Sequence, residues 1–101
     1  MIACKTLQEA TDLIRYCLRS GGITIGRHFR AELANEGLTL ADAYQVLNNG
    51  NVFMPPEKDI RSGEWKYRSE GRDPEGKKVA IVFCFKENER GFLITIFSLE
   101  R

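Results

Sequence analysis

The stretch EWKYRSEGRDPEGKKVAIVFCF, residues 64–85, decides the fold of this chain. Its first part alternates aromatic or small residues with charged ones, which is the period of a β-strand with one buried and one solvent-facing side. Residues 73–76, DPEG, have the composition of a type I turn. Residues 79–85 form an unbroken apolar run, typical of a strand in the centre of a sheet. The stretch therefore predicts an antiparallel hairpin within a larger sheet.

Three helices are predicted before this hairpin. Thr6 and Thr39 each precede an acidic residue by three positions, and this spacing is that of a capping box at a helix start. Glycines at 21 and 50 are expected to end the first and third helices. Between them, an extended piece at 23–25 leads into a second helix at about residues 27–35.

The rest of the chain completes the predicted sheet. Strands are expected at residues 52–54 and 92–99, and residues 57–63 are expected to form a polar loop. Helices followed by antiparallel strands make the chain, residues 1–101, a single α+β domain with its N-terminal helices on one face of a mostly antiparallel sheet. Alternation in the last strand assigns one face to Ile94 and Ile96 and the other to Leu93, Thr95 and Phe97.

Composition excludes several classes of protein. Hydrophobic residues are 43% and charged residues 29% of the chain, which indicates a folded globular domain and not a disordered one. No apolar run approaches the ~20 residues of a membrane span, and residues 1–8 lack the apolar core of a signal peptide, so we expect a cytoplasmic protein without a membrane partner. Three cysteines without C-x-x-C spacing are expected to be reduced, partly buried thiols; no metal or cofactor is expected.

Charge is unevenly distributed although the net charge is only +1. Residues 31–57 contain no lysine or arginine but four carboxylates, so we expect this segment not to contact a polyanion. The polar side of the predicted 64–72 strand is different, because its cations recur at every second or fourth position and suit a row of phosphates. The alternative is a solvated face whose charges pair with one another. The residues of this face are Glu64, Lys66, Arg68, Glu70 and Arg72.

Two further features could contact a nucleic acid. His28 lies between Arg27 and Arg30 at the start of a predicted helix, where free amides and a positive field attract phosphate. Histidine is also an acid–base group near neutral pH, although a capping or structural role is equally open. Tyr67 stands between two cations and either stacks on a base or belongs to the core, whereas Trp65 is assigned to the core.

Several blocks of the chain resemble one bacterial family of domains of unknown function. These blocks are RH at 27–28, GLT at 37–39, GEWKYR at 63–68 and LITIF at 93–97. That family is similar to the RelE, MqsR and BrnT toxins, and its members are often encoded beside a YgiT-type zinc-finger antitoxin. The resemblance implies a RelE-like fold for nearly the whole chain.

The resemblance also implies a function and a set of roles. It implies the toxin of a type II toxin–antitoxin system, a metal-independent mRNA endoribonuclease that uses the RNA 2′-hydroxyl as nucleophile, with a cognate antitoxin as protein partner. The alternative is a non-catalytic module of the same fold that binds a protein or RNA. The implied catalytic residues are His28, Lys66 and Arg68; the implied RNA-binding residues are Arg27, Arg30, Tyr67 and Arg72.

Overall fold

The computed structural model describes residues 3–99 of the chain. Three helices precede most of a six-stranded sheet, which confirms the predicted α+β class. The elements are α1 Leu7–Ser20, β1 Ile23–Ile25, α2 Arg27–Asn35, α3 Leu40–Asn49, β2 Asn51–Val52, β3 Glu57–Lys58, β4 Trp65–Arg72, β5 Lys78–Phe85 and β6 Gly91–Ser98.

The strands are arranged in the order β1-β6-β5-β4-β2. Neighbours along β6, β5, β4 and β2 are antiparallel, and only β1 runs parallel to its neighbour, β6. The predicted central strand is confirmed, because β5 lies between β6 and β4 and both of its edges are paired with a neighbouring strand. Both short strands β2 and β3 pair with the outer edge of β4, at different points along it.

Local sequence accounts for two of the three helix starts. The Thr6 hydroxyl accepts the Glu9 amide, and the Glu9 carboxylate accepts the Thr6 amide in return. Thr39 and Asp42 form the same reciprocal pair at the start of α3. Each box satisfies two backbone amides that the helix itself cannot, so both predicted boundaries are confirmed.

The core lies between the helices and one face of the sheet. Tyr67 of β4 is directly opposite Phe83 of β5, and both side chains join a single apolar cluster with residues of all three helices. Phe29 of α2 and Leu47 of α3 are completely buried in this cluster. Burying a side chain of this size contributes about 1.5–3 kcal/mol, so this layer stabilises the helix-covered face.

The last strand departs from the predicted alternation at Ile94. Val82 pairs with Thr95 but Phe83 pairs with Leu93, so Ile94 is an extra residue without a partner in the ladder. Beyond such a bulge, the side chains of the strand point to the face opposite to the one that simple alternation predicts. As a result Leu93 and Ile96 are both fully buried, and the assignment of these two residues to opposite faces is wrong.

A second departure concerns residues 57–63, which were expected to be loop. Glu57 pairs with Lys66 and Lys58 pairs with Trp65, so the chain forms a β3–β4 hairpin with its turn at 59–64. Among residues 3–99, no helix has the length and apolar character required to cross a membrane.

Candidate nucleic-acid interface

The face of the sheet opposite the helices contains a groove of about 420 Å³, which we call the outer groove. Cross-strand pairs define this face, because Arg68 lies opposite Val82, and Val82 lies opposite Thr95. The groove combines an apolar lining with cations, the composition expected of a surface that binds both bases and phosphates. Its uncharged lining residues are Met54, Pro55, Tyr67, Val82, Ile94, Thr95 and Phe97, and its charged ones are Glu57, Lys58, Lys66 and Arg68.

Lys66 is oriented by the hairpin that precedes it. Its Nζ atom lies 3.3 Å from Oδ2 of Asp59. The Asp59 carboxylate also accepts the backbone amides of Ser62 and Arg61, and these bonds, with Lys66, hold the pKa of Asp59 below its usual value. The Lys66 side chain is 40% exposed, so it remains accessible to a ligand in the groove.

Arg68 lies one step further along the same face. Its Nε lies 3.1 Å from Oε2 of Glu70, but without hydrogen-bond geometry, so the contact is a Coulombic one. The guanidinium is also stacked 5.2 Å from the centre of the Phe97 ring. An arginine supported by an aromatic ring and a single carboxylate presents its remaining N–H groups as donors for a phosphate.

Of the other two predicted residues of β4, Arg72 lies outside this groove, whereas Tyr67 lines it although its side chain is almost completely buried. Arg72 lies four residues beyond Arg68, about 13 Å along the strand, and its guanidinium donates to the Gly76 carbonyl. Tyr67 is 2% exposed and its ring stacks on Phe83 at 5.7 Å. The ring therefore packs in the core, and burial raises the pKa of the Tyr67 hydroxyl, while the stacking of Tyr67 on a base stays a prediction.

The predicted residues of α2 lie elsewhere on the molecule. Arg27, His28 and Arg30 are exposed on the first turn of α2, which follows the edge strand β1. Ile25, the last residue of β1, is in the same cross-strand row as Tyr67 but three strand spacings away, about 14 Å. None of the three α2 residues lines the outer groove, so the structure brings together Lys66 and Arg68 without His28.

A family model with the description "Domain of unknown function (DUF4258)" matches residues 25–98. The chain belongs to the DUF4258 family. The match covers α2 to β6, and therefore every residue of the outer groove, whereas α1 lies outside it. No curated protein and no solved structure matches the chain.

In this DUF4258 domain, residues 54–58 were missed by sequence analysis as part of the site. The acidic segment 31–57 was expected to avoid a polyanion, yet its last residues reach the groove because β3 pairs with β4. Two short segments, Glu57-Lys58 and Trp65-Lys66, flank a stretch that contains Asp, Ser and Gly. Such a stretch between two extended segments is a turn signal, and it could have indicated the hairpin.

A second cavity of the DUF4258 domain, about 390 Å³ in volume, lies at the end of the sheet where the hairpin turn approaches the β5–β6 turn. Glu64 accepts a hydrogen bond of 2.7 Å from Lys86 at this cavity, and the bond raises the pKa of Lys86. We call it the end cavity; its lining residues are Ser62, Gly63, Glu64, Trp65, Tyr67, Phe85, Lys86 and Glu87.

The cysteines do not form a reactive centre in the structure. Cys17 and Cys84 are buried, and desolvation raises the pKa of both thiols, which disfavours the nucleophilic thiolate. Cys4 is exposed, contrary to the expectation that all three would be partly buried. Within residues 3–99, no three side chains of the metal-ligating types come together.

Proposed function

We propose that this DUF4258 protein binds single-stranded RNA in the outer groove and cleaves it, as the toxin of a toxin–antitoxin pair. The observation that carries the proposal is the placement of Lys66 and Arg68 on one uncovered face, two residues and about 7 Å apart along β4. Cations in such a row neutralise successive phosphates. The apolar lining beside them, including Phe97, offers contact area for bases.

The groove also contains groups suited to transesterification, in which the phosphoryl group passes from the 5′-oxygen to the 2′-oxygen. In this reaction the 2′-oxygen bonds to phosphorus, the 5′-oxygen leaves, and a 2′,3′-cyclic phosphate forms. Glu57 and Lys66 are cross-strand neighbours in the hairpin and both line the groove, so the Glu57 carboxylate accepts the 2′-hydroxyl proton while the Lys66 ammonium protonates the leaving oxygen. Arg68 stabilises the charge that develops on the phosphoryl oxygens.

A second candidate function is a non-catalytic RNA-binding module. It is favoured by the ion pairs in the groove. Lys66 and Arg68 each have a carboxylate neighbour, which lowers the positive electrostatic potential that would stabilise a transition state. Both functions use the same surface, and only turnover distinguishes them.

The test is cleavage of a mixed-sequence RNA by the purified protein, with the new ends identified by sequencing. Wild-type protein should produce 2′,3′-cyclic phosphate and 5′-hydroxyl ends in the presence of a chelator. Glu57→Gln should lower the rate about 10²–10⁴-fold without lowering RNA affinity, as expected for loss of one acid–base group. Glu75→Gln, an exposed carboxylate in the β4–β5 turn, is the matched control. Binding without cleavage would replace the first function by the second.

The toxin hypothesis adds a biological consequence. Expression of the wild-type chain should arrest growth, and co-expression of a cognate antitoxin, expected to be of the zinc-finger type, should restore it. Glu57→Gln should not arrest growth at equal protein level.

A further inference from the structure

The end cavity has the size and walls of a site for one planar ring. Its volume of about 390 Å³ lies within the range of small-molecule sites, about 300–1,000 Å³. Trp65 and Phe85 contribute aromatic surface, and both pack against the core, so their positions are fixed. Aromatic side chains of this kind stack on nucleobases in single-stranded RNA sites.

The polar lining of the end cavity is specific in its chemistry. Glu64 and Lys86 are 2.7 Å apart, so a hydrogen-bond acceptor and a donor stand side by side. The Watson–Crick edge of guanine has the complementary order, with two adjacent N–H donors at N1 and N2 beside the O6 acceptor. Both oxygens of one carboxylate can therefore be used by guanine, whereas adenine and cytosine each offer one amino group on that edge.

The hairpin connects the end cavity to the outer groove. Lys58 and Lys66 of the hairpin line the groove, while Ser62 and Trp65 of the same hairpin line the cavity. Trp65 lies on the opposite face of β4 from Lys66 and Arg68, so an RNA strand whose phosphates follow these two cations reaches the end cavity by turning around the end of the sheet, where Glu64 and Lys86 lie.

We propose that the end cavity is a base-specific subsite that binds a guanine of the RNA strand held in the outer groove. The subsite rests on the proposed RNA-binding function, and it assigns the selection of sequence to Glu64 and Lys86 and the stacking surface to Trp65. The subsite determines which RNA sequence is bound, and it takes no part in the cleavage reaction.

Trp65 is the only tryptophan of the chain, so its fluorescence reports on the end cavity directly. The four nucleoside 5′-monophosphates are titrated separately, with inorganic phosphate as the control for binding through the phosphate alone. Guanosine monophosphate should quench Trp65 with a Kd about tenfold or more below that of the other three, as bidentate base contacts discriminate. Equal Kd values for all four nucleotides, or quenching by none, would overturn the subsite.

The variant Glu64→Gln should abolish the preference for guanosine monophosphate, and Glu75→Gln should retain it. Loss of fold is detected by thermal melting, and then chemical shifts of the wild-type Trp65 indole N–H with each nucleotide decide the question instead. A preserved preference in folded Glu64→Gln would refute the role of Glu64.

The failure of the subsite is distinguishable from failure of the proposed function. If guanosine monophosphate binds selectively but RNA does not bind at all, the end cavity is a guanine site but not an RNA subsite, and the RNA-binding function falls. If RNA binds with a salt dependence that Arg68→Ala reduces, but no nucleotide quenches Trp65 selectively, the function stands and the subsite falls.

Discussion

The Nζ atom of Lys66 lies 3.3 Å from Oδ2 of Asp59, across the hairpin that joins β3 to β4. The same carboxylate closes the turn by accepting the amides of Arg61 and Ser62 at 2.8 and 3.1 Å. One residue therefore both shapes the turn and orients a cation of the outer groove. The geometry of the candidate site depends on the protonation state of Asp59.

The turn should consequently open in acid. Because the pKa of Asp59 is lowered in the folded protein, its stabilising effect is complete above the unfolded value, about 3.9, and is lost as pH falls through the lower folded value. Hydrogen exchange of the Arg61 and Ser62 amides, corrected for intrinsic rate, should show protection that disappears in this acidic range. Asp59→Asn should make the remaining protection independent of pH. Protection that persists below the folded pKa of Asp59 in the wild type would contradict this role.

Arg68→Ala should weaken RNA binding chiefly at low salt. Removing one phosphate contact lowers the slope of log affinity against log salt by about 1. The measurement is a titration of RNA binding at several salt concentrations. Arg19→Ala removes an exposed arginine from the last turn of α1, on the helix-covered side, and should leave the slope unchanged. Equal slopes for wild type and folded Arg68→Ala would remove the outer groove from the proposed interface.

His28→Ala tests whether the conventional acid–base residue takes part in cleavage. His28 is exposed on α2 and does not line the outer groove, so we expect RNA affinity and cleavage rate close to wild type. A catalytic acid or base would instead cost about 10²–10⁴-fold in rate. A loss of that size in a variant of normal thermal stability would move the reaction centre from β4 to α2.

Tyr67 should act chiefly on stability, because it is 2% exposed although it lines both the outer groove and the end cavity. Tyr67→Phe keeps the ring packed on Phe83 but removes the hydroxyl that accepts the Lys5 amide at 2.8 Å, which should cost about 1 kcal/mol of unfolding free energy. Tyr67→Ala should cost about 3–5 kcal/mol, as for other large aromatic truncations. Urea denaturation measures both. Reduced RNA affinity of Tyr67→Phe at unchanged stability would support a direct contact with a base instead.

Features encoded within a few residues were determined by the sequence alone. The capping boxes at Thr6 and Thr39 require only residues three positions apart, so their pattern was sufficient to locate two helix starts. Period two in β4 likewise placed Tyr67 and Arg68 on opposite faces, because successive side chains of a strand point in opposite directions. The sequence thus determined which β4 residues are exposed together, which includes the cations of the outer groove.

The tertiary structure decided everything that depends on pairing between distant segments. The bulge at Ile94 allows β6 to pair with β5 while both Leu93 and Ile96 are buried. The residues of β6 alone do not reveal this requirement, because it depends on the register with β5. The position of β1 at the far edge of the sheet separates His28 from Lys66, although both belong to cationic blocks of similar appearance in sequence. Which charges share a site is set by strand order and register, since these fix distances between residues that the chain itself places far apart.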